Sequence, residues 1–336
     1  MVMRDFIKEF PNHITHALQI SESLSVHEKF FLKQRFYNIV ISGQGGSAIG
    51  GVIVKDLVQD DVHIPIIVNK DYSIPSFINK NTLFIASSYS GNTEETISAL
   101  KKVIELNKTG ENIIIFCICS GGQILEIAKQ HKLKYILIPE GGAPRAMLCY
   151  SVVQMLVLIS MINGKTHFVK EKLNDVNDYL INNQQSIIEL ADDCAQKINH
   201  KMPFVYTFSN FEGVALRFKQ QLNENSKRHA TYNLIPEMNH NEIVAWHKKN
   251  ICVAPVFING NSFERNKKRM IINIEQIKAT VDNVVELTCS KSDVFVQYFH
   301  FIHLVDWVSL MLAEKEGVNP NNIDPINYLK DELKKV

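Results

Sequence analysis

Short apolar runs alternate with longer amphipathic stretches along most of this chain. Residues 5–33 follow a helical period with one polar face. After them, Tyr37–Ser42, Ile64–Asn69, Leu83–Ser88, Ile113–Cys119 and Tyr135–Ile138 are short, apolar and bounded by turn residues, so they predict strands. Between them the period predicts helices from Ser47 to about Leu57, from about Asn92 to Leu106, and over Gln123–Gln130. Strands alternating with helices argue a parallel sheet covered by helices, with ligands at the carboxyl ends of the strands.

A long apolar helix is expected over Ala146–Ile162, then a stretch rich in Asn, Asp, Glu and Gln from Gly164 to Asn199 that reads as linker helices. The alternation resumes with strands at Phe204–Phe208, Ile251–Val256 and Val284–Leu287. Helices are expected at Glu212–Asn225, Phe263–Gln276 and Ser290–Glu316. The expected organisation is therefore α/β: residues 1–163 and 200–336 form two related subdomains packed face to face, joined by residues 164–199. Each is a mainly parallel sheet flanked by helices.

Composition changes little in this picture and narrows the partners. The chain is 46% hydrophobic and 21% charged, with a formal net charge of +1. No bulk field favours nucleic acid or an anionic membrane, so any anion must be recognised locally. The six cysteines form no CxxC pair, and most sit in apolar runs, as buried reduced thiols of a cytoplasmic protein would. Met1 to Phe6 carries an acid and leads into no long apolar core, so no signal peptide is expected there. Val294–Leu312 is the most apolar late stretch, but His300, His303 and Asp306 mark it as a buried amphipathic helix rather than a membrane span.

The candidate chemistry begins with two loops, each between a predicted strand and a predicted helix. The first is Gly43-Gln44-Gly45-Gly46-Ser47-Ala48-Ile49-Gly50-Gly51, the second Ser87-Ser88-Tyr89-Ser90-Gly91-Asn92-Thr93-Glu94-Glu95. Free N–H groups at a helix start, with hydroxyls beside them, make an anion site. Two such loops in one domain can converge on one phosphate. Gly45 and Gly46 equally suit a plain tight turn. Gly43-x-Gly45-x-x-Ala48, with Asp71 further on, begins like a dinucleotide fingerprint, but that scheme gives Ser88, Ser90 and Thr93 no role. Thr93 could instead simply cap the second helix.

Three further segments carry charge. In Pro139–Ala146, Pro144 suits the first turn of a helix, and Arg145 would point toward the same strand ends; the alternative is a surface loop arginine. Glu224 lies near the end of a predicted helix, where the macrodipole disfavours an acid. Glu237 and Glu242 flank His240, but no second histidine at helical spacing supports a metal there. Lys330 sits in the final predicted helix and by default is an ordinary exposed lysine.

Taken together, these segments resemble the sugar isomerase (SIS) superfamily, and more narrowly the bifunctional phosphoglucose/phosphomannose isomerases of archaea and bacteria. The resemblance spans nearly the whole chain. It rests on the two loops, on Gly142-Ala143-Pro144-Arg145, on Asn223-Glu224-Asn225, on Pro236-Glu237-Met238-Asn239-His240-Asn241-Glu242, and on Pro325-Ile326-Asn327-Tyr328-Leu329-Lys330. It implies two SIS-type subdomains and an aldose–ketose isomerase of hexose 6-phosphates. Gly46, Ser47, Ser88, Ser90 and Thr93 would hold the phosphate. Glu224 would be the base, Arg145 would stabilise the enediolate, and His240 with Lys330 would open the sugar ring. The resemblance also implies a homodimer in which His240 completes the neighbouring subunit's site, with no metal and no organic cofactor. Gln44 replaces a methionine common in relatives, and the second loop opens on two serines; neither change removes a hydroxyl or a glycine. A monofunctional isomerase is one alternative. A sugar-phosphate sensor is another, but it would need the loops without Glu224 or His240, and no basic helix-turn-helix pattern is present.

Overall fold

A computed structural model describes residues 2–249 and 251–335. Its first helices are α1 (Met3–Lys8), α2 (Phe10–Ser21) and α3 (Glu28–Leu32). Then come β1 (Asn38–Ser42), α4 (Gly45–Val58), β2 (Ile66–Asn69), β3 (Thr82–Ser88), α5 (Glu94–Lys108), β4 (Ile114–Cys119), α6 (Gly122–Gln130), β5 (Lys134–Leu137) and α7 (Leu148–Ser160). The long helix α8 (Thr166–Ile198) leads to β6 (Met202–Phe208), α9 (Glu212–Glu224), β7 (Thr231–Ile235), β8 (Val253–Asn259), α10 (Glu264–Lys278), β9 (Val285–Thr288), α11 (Val294–Lys315) and α12 (Asp324–Leu333). The residues fall into two compact units. Lys8–Asn182 with Asp293–Val296 make the first; Val2–Ile7, Asn183–Ser292 and the chain from Gln297 onward make the second.

The first unit holds a five-stranded parallel sheet in the order β2-β1-β3-β4-β5. Its central strands are buried along their length, which is why β1 and β3 read as continuous apolar runs rather than alternating ones. One core cluster packs Phe84, Ile115 and Cys117 against Leu100 and Val103 of α5 and Ile124 of α6. Every residue of α7 is buried, as its unbroken apolar sequence requires.

The second unit holds a four-stranded parallel sheet in the order β7-β6-β8-β9. Tyr206 and Phe257 pack there with Met238 and with Met270, Ile274 and Ile277 of α10. The α/β fold class with two mainly parallel sheets is therefore observed. Strand edges differ from the sequence expectation by one to three residues, most at the end of β8, close to the usual disagreement over element ends. One strand was not legible: β7, Thr-Tyr-Asn-Leu-Ile, is a half-buried edge strand without an apolar run. The polar stretch after Gly164 forms a single 33-residue helix, α8, with Leu173, Val176, Leu180, Ile187 and Cys194 on its buried side. Helix α11 is apolar and long enough to cross a membrane, yet 94% of its apolar window is buried inside the protein, so it is a core helix.

Candidate active site

In the first unit the strand order reverses between β1 and β3, which opens a crevice at their carboxyl ends. The two loops line it. Gly43 leaves β1 so close to β3 that a Cβ there would sit 2.9 Å from the Ser87 carbonyl oxygen. Gly45, at φ +50°, turns the chain into α4. A Cβ on Gly46 would lie 3.3 Å from the Pro144 carbonyl oxygen and 3.9 Å from the Arg145 Cα, so the third segment abuts the first loop. Ser47 is buried in the first turn of α4, and its hydroxyl accepts the Tyr89 N–H at 3.3 Å.

The second loop is held by its own hydroxyls. Ser88 Oγ and Thr93 Oγ1 lie 2.8 Å apart, and Ser90 Oγ accepts the Asn92 N–H at 3.3 Å. Thr93 occupies the N-cap position of α5, but its side chain makes no cap hydrogen bond there. The capping role weighed from sequence is therefore not what this hydroxyl does. The starts of α4 and α5 both present helix N-termini at this end of the sheet.

Sequence reasoning missed Tyr89, which fastens the site together. Its N–H reaches Ser47, its carbonyl accepts the Ser120 N–H at 2.9 Å and the Ser120 hydroxyl at 2.7 Å, and its phenol oxygen accepts the Gly142 N–H at 3.1 Å. One residue thus ties the loops after β1, β4 and β5. Burial pushes its phenol pKa up, the Gly142 N–H opposes that, and Glu140 adds to the rise. The available signal was a bulky aromatic between two serines in a loop of small residues. Gly91 and Gly122 close the back of the loop, because a Cβ on Gly91 would meet the Gly121 carbonyl oxygen at 1.8 Å.

Arg145 differs from the expected start of a helix. It lies in the turn Ala143–Met147, where the Ala146 N–H reaches the Ala143 carbonyl at 2.8 Å, and α7 begins at Leu148. It is only 6% exposed, which removes the surface-loop alternative. Its backbone abuts Gly46 at the start of α4, so a buried arginine neighbours the first loop. Gly46, Ser47, Ser88, Ser90, Thr93 and Arg145 are thus brought to one end of one sheet.

Glu224, His240 and Lys330 belong to the second unit. Glu224 is the half-exposed last residue of α9, and its backbone carbonyl accepts from Lys227 Nζ. The same ammonium lies 3.5 Å from the Pro320 carbonyl oxygen, and Arg228 pairs with Glu316 at 3.4 Å. Glu224 therefore shares its end of the unit with the approach to α12. Lys330 lies on α12, in which no residue is buried, and Ile323 occupies the N-cap position. His240 closes a short 3-10 turn, Glu237–His240, just beyond β7. Because β6 and β7 are parallel, α9 returns to the amino ends of the strands, whereas His240 follows the carboxyl end of β7. Within this unit Glu224 and His240 sit at opposite ends of the sheet, roughly 15 Å apart over a five-residue strand.

The two glutamates considered for a metal are otherwise engaged. Glu242 accepts from the Tyr206 hydroxyl at 2.6 Å and from Asn233 Nδ2 at 2.7 Å, and Glu237 accepts from Asn241 Nδ2 at 2.8 Å. Among the described residues no group of three or more His, Cys, Asp or Glu is arranged to hold a metal ion.

Two parallel α/β units, one with hydroxyl-rich loops at the reversal of strand order, define a protein of the phosphosugar isomerase class. The bacterial phospho-glucose isomerase C-terminal SIS domain family matches residues 187–333. A bifunctional phosphoglucose/phosphomannose isomerase of Caldicellulosiruptor bescii is 34% identical over 99% of this chain and 99% of its own. One of Aquifex aeolicus is 32% identical over 89% of this chain and 91% of its own. Among solved structures, tagatose-6-phosphate ketose/aldose isomerase from Escherichia coli matches with a TM-score of 0.73 over 95% of this chain and 94% of that one; at 15% identity the likeness speaks to fold alone. The chain belongs to the bifunctional phosphoglucose/phosphomannose isomerase family.

Proposed function

We propose that the protein interconverts glucose 6-phosphate and mannose 6-phosphate with fructose 6-phosphate through a cis-enediolate, without a metal or organic cofactor. The observation that carries this reading is the crevice of the first unit, where Ser47, Ser88 and Thr93 meet two helix starts beside the buried Arg145. There the phosphate is held by Gly46, Ser47, Ser88, Ser90 and Thr93. That remote binding energy can then be used at the reacting carbons.

Glu224 takes the proton from C2 of the aldose and returns it to C1 of the ketose, and one carboxylate serves both carbons when the enediol is cis. Arg145 stabilises the charge that develops on the enediolate oxygens. His240 and Lys330 open the sugar ring. Since the enediol is planar at C2, reprotonation on either face gives glucose or mannose stereochemistry, provided the C2–C3 bond can rotate. Ile323, seven residues before Lys330, is the candidate wall of that part of the pocket. The protein works as a homodimer in which His240 completes the neighbouring subunit's site. The placement of Glu224 and His240 at opposite ends of one sheet supports that arrangement. The enzyme acts in the cytoplasm, without nucleic acid or membrane partners.

The test is fructose 6-phosphate formation from glucose 6-phosphate and, separately, from mannose 6-phosphate, with a chelator present and the Glu224→Gln protein as control. Turnover of both substrates is expected. Turnover of one alone would restrict the reading to a monofunctional isomerase, and turnover of neither would move a sugar-phosphate sensor to the front.

A further inference from the structure

His240 is exposed and ends the first of two four-residue 3-10 turns, Glu237–His240 and Glu242–Ala245, neither long enough to hold its own shape. A side chain that must meet one ring oxygen needs a fixed backbone beneath it, because supporting groups hold a reacting group to within about half an ångström. The surrounding hydrogen bonds supply such support from both sides of the histidine.

On the upstream side, Asn239 Nδ2 donates to Asn273 Oδ1 at 2.6 Å. Asn273 is a buried residue of α10, and its own amide nitrogen faces Met238 Sδ at 3.3 Å. On the downstream side, Asn241 Oδ1 accepts the Glu242 N–H at 2.6 Å. The Glu242 carboxylate then reaches into the unit, taking the Tyr206 hydroxyl on one oxygen and Asn233 Nδ2 on the other. The Tyr206 oxygen also accepts the Trp246 indole N–H at 2.9 Å, and Tyr206 itself is fully buried on β6.

The chemistry of this anchor is selective. Asn233 Oδ1 is engaged by the Leu234 N–H at 2.7 Å, so its amide cannot flip without losing that bond. It therefore offers only a donor to Glu242. With the Tyr206 hydroxyl donating as well, the site asks for a group with two acceptors and no hydrogen, which a carboxylate supplies and an amide does not.

We propose that Glu242, with Asn273, is a positioning residue that holds His240 in register for ring opening. The role rests on the isomerase reading of His240 given above. Neither residue needs to touch the sugar.

The experiment is a double-mutant cycle in the full-length protein, with kcat and KM for glucose 6-phosphate measured alongside the Kd of a hexitol 6-phosphate, an open-chain probe that needs no ring opening. Glu242→Gln should lower kcat roughly ten- to hundredfold while the hexitol phosphate Kd stays unchanged. The same substitution placed on His240→Ala should cost nothing further, because a residue that acts only through the histidine has no role once it is gone. Adding Asn233→Asp to Glu242→Gln gives the new amide an acceptor and should restore most of the turnover. Tyr206→Phe, which removes one donor and leaves the carboxylate, should give the same pattern at smaller size if Glu242→Gln folds poorly. A loss in the His240→Ala background as large as in the wild type would overturn the positioning role and leave His240 in place. If His240→Ala itself keeps full turnover, the ring-opening assignment falls, and the positioning role with it.

Discussion

The two units share one strand order over four strands, yet they differ in what lies where that order reverses. In the first unit the reversal is lined by Gly43, Gly45 and Gly46, and α4 carries no acid in its first turn. In the second, the same position lies between β6 and β8, and an aromatic ring fills it. A Cβ on Gly260, just after β8, would sit 2.4 Å from the Phe211 ring, which stacks on Tyr298 with centroids 5.3 Å apart. The first turn of α9 carries Glu212, but that of α5 carries Glu94 and Glu95, so an acid at the helix start does not separate the two units. Topology places a possible site at both reversals, and a few residues decide which becomes one. The second unit has turned its reversal into core and carries its candidate chemistry on α9, on the turn after β7 and on α12.

The largest way to break this comparison is to empty the filled reversal. Phe211→Ala should destabilise the protein by about 3–5 kcal/mol, the usual result of removing a buried ring. It should create no phosphate site, because the loop after β6, Ser209–Phe211, has no glycine and its one hydroxyl donates to the Ile235 carbonyl. A melting curve and phosphate titration of the variant check both. Phosphate protection of the variant, in excess of that of the wild type, would show that the ring alone blocks binding.

Acid should separate the units next. His300 and His303 of α11 are buried, and burial lowers their pKa values from 6.5 to about 4 and to about 3; the Thr288 backbone slightly offsets this at His300, and His300 adds to it at His303. The unfolded chain therefore binds protons that the folded one does not between pH 6.5 and about 4. Stability is full above pH 6.5 and is lost as pH falls through that window, on the order of 3 kcal/mol between pH 7 and 5. The first unit has no histidine shifted so far: burial also lowers His13 and His27, but by less. Amide exchange at pH 5 should thus open the second unit first. His303→Gln keeps an acceptor for the Trp307 indole, which donates to His303 Nε2 at 3.2 Å, and should remove much of the acid sensitivity. Exchange that quickens equally in both units would leave these histidines without that role.

Binding and chemistry divide the same way under the proposed mechanism. Glu224→Gln should lower turnover about a hundredfold or more, close to 2.7 kcal/mol, with hexose phosphate affinity kept. The corresponding loss of affinity belongs to the first unit. Unchanged turnover in Glu224→Gln would remove this residue from the base role.

What the sequence disclosed follows the same boundary between local and long-range information. The central strands β1, β3 and β4 of the first sheet were legible because they are buried and read as apolar runs; edge strands β2 and β5 are less buried but keep short apolar runs, and the glycines and hydroxyls of the loops lie adjacent in the chain. Edge strand β7 was not, since Tyr232 and Asn233 are half-buried and break any run. Tyr89 was passed over because its partners Ser47, Ser120 and Gly142 are distant in sequence, and no local pattern announces a strut. Phe211 escaped for a similar reason: its meaning depends on Gly260 and Tyr298. Arg145 was noticed, but only packing could show that it is buried in a turn ahead of α7 rather than inside its first turn.

The smallest effect gives the sharpest version of the contrast. Ser88 and Thr207 both carry buried hydroxyls near the ends of central strands, one in each unit. Ser88 Oγ faces Thr93 in the open crevice, whereas Thr207 Oγ1 donates to the Ile258 carbonyl at 2.9 Å beside the filled one. Ser88→Ala should raise KM for glucose 6-phosphate about tenfold with kcat little changed, the signature of a contact made equally in ground and transition states. Thr207→Val should leave KM alone and cost about 1 kcal/mol of stability. If both variants changed only stability, Ser88 would be a structural hydroxyl like Thr207, and phosphate binding in the first unit would rest on Ser47, Ser90 and the helix starts.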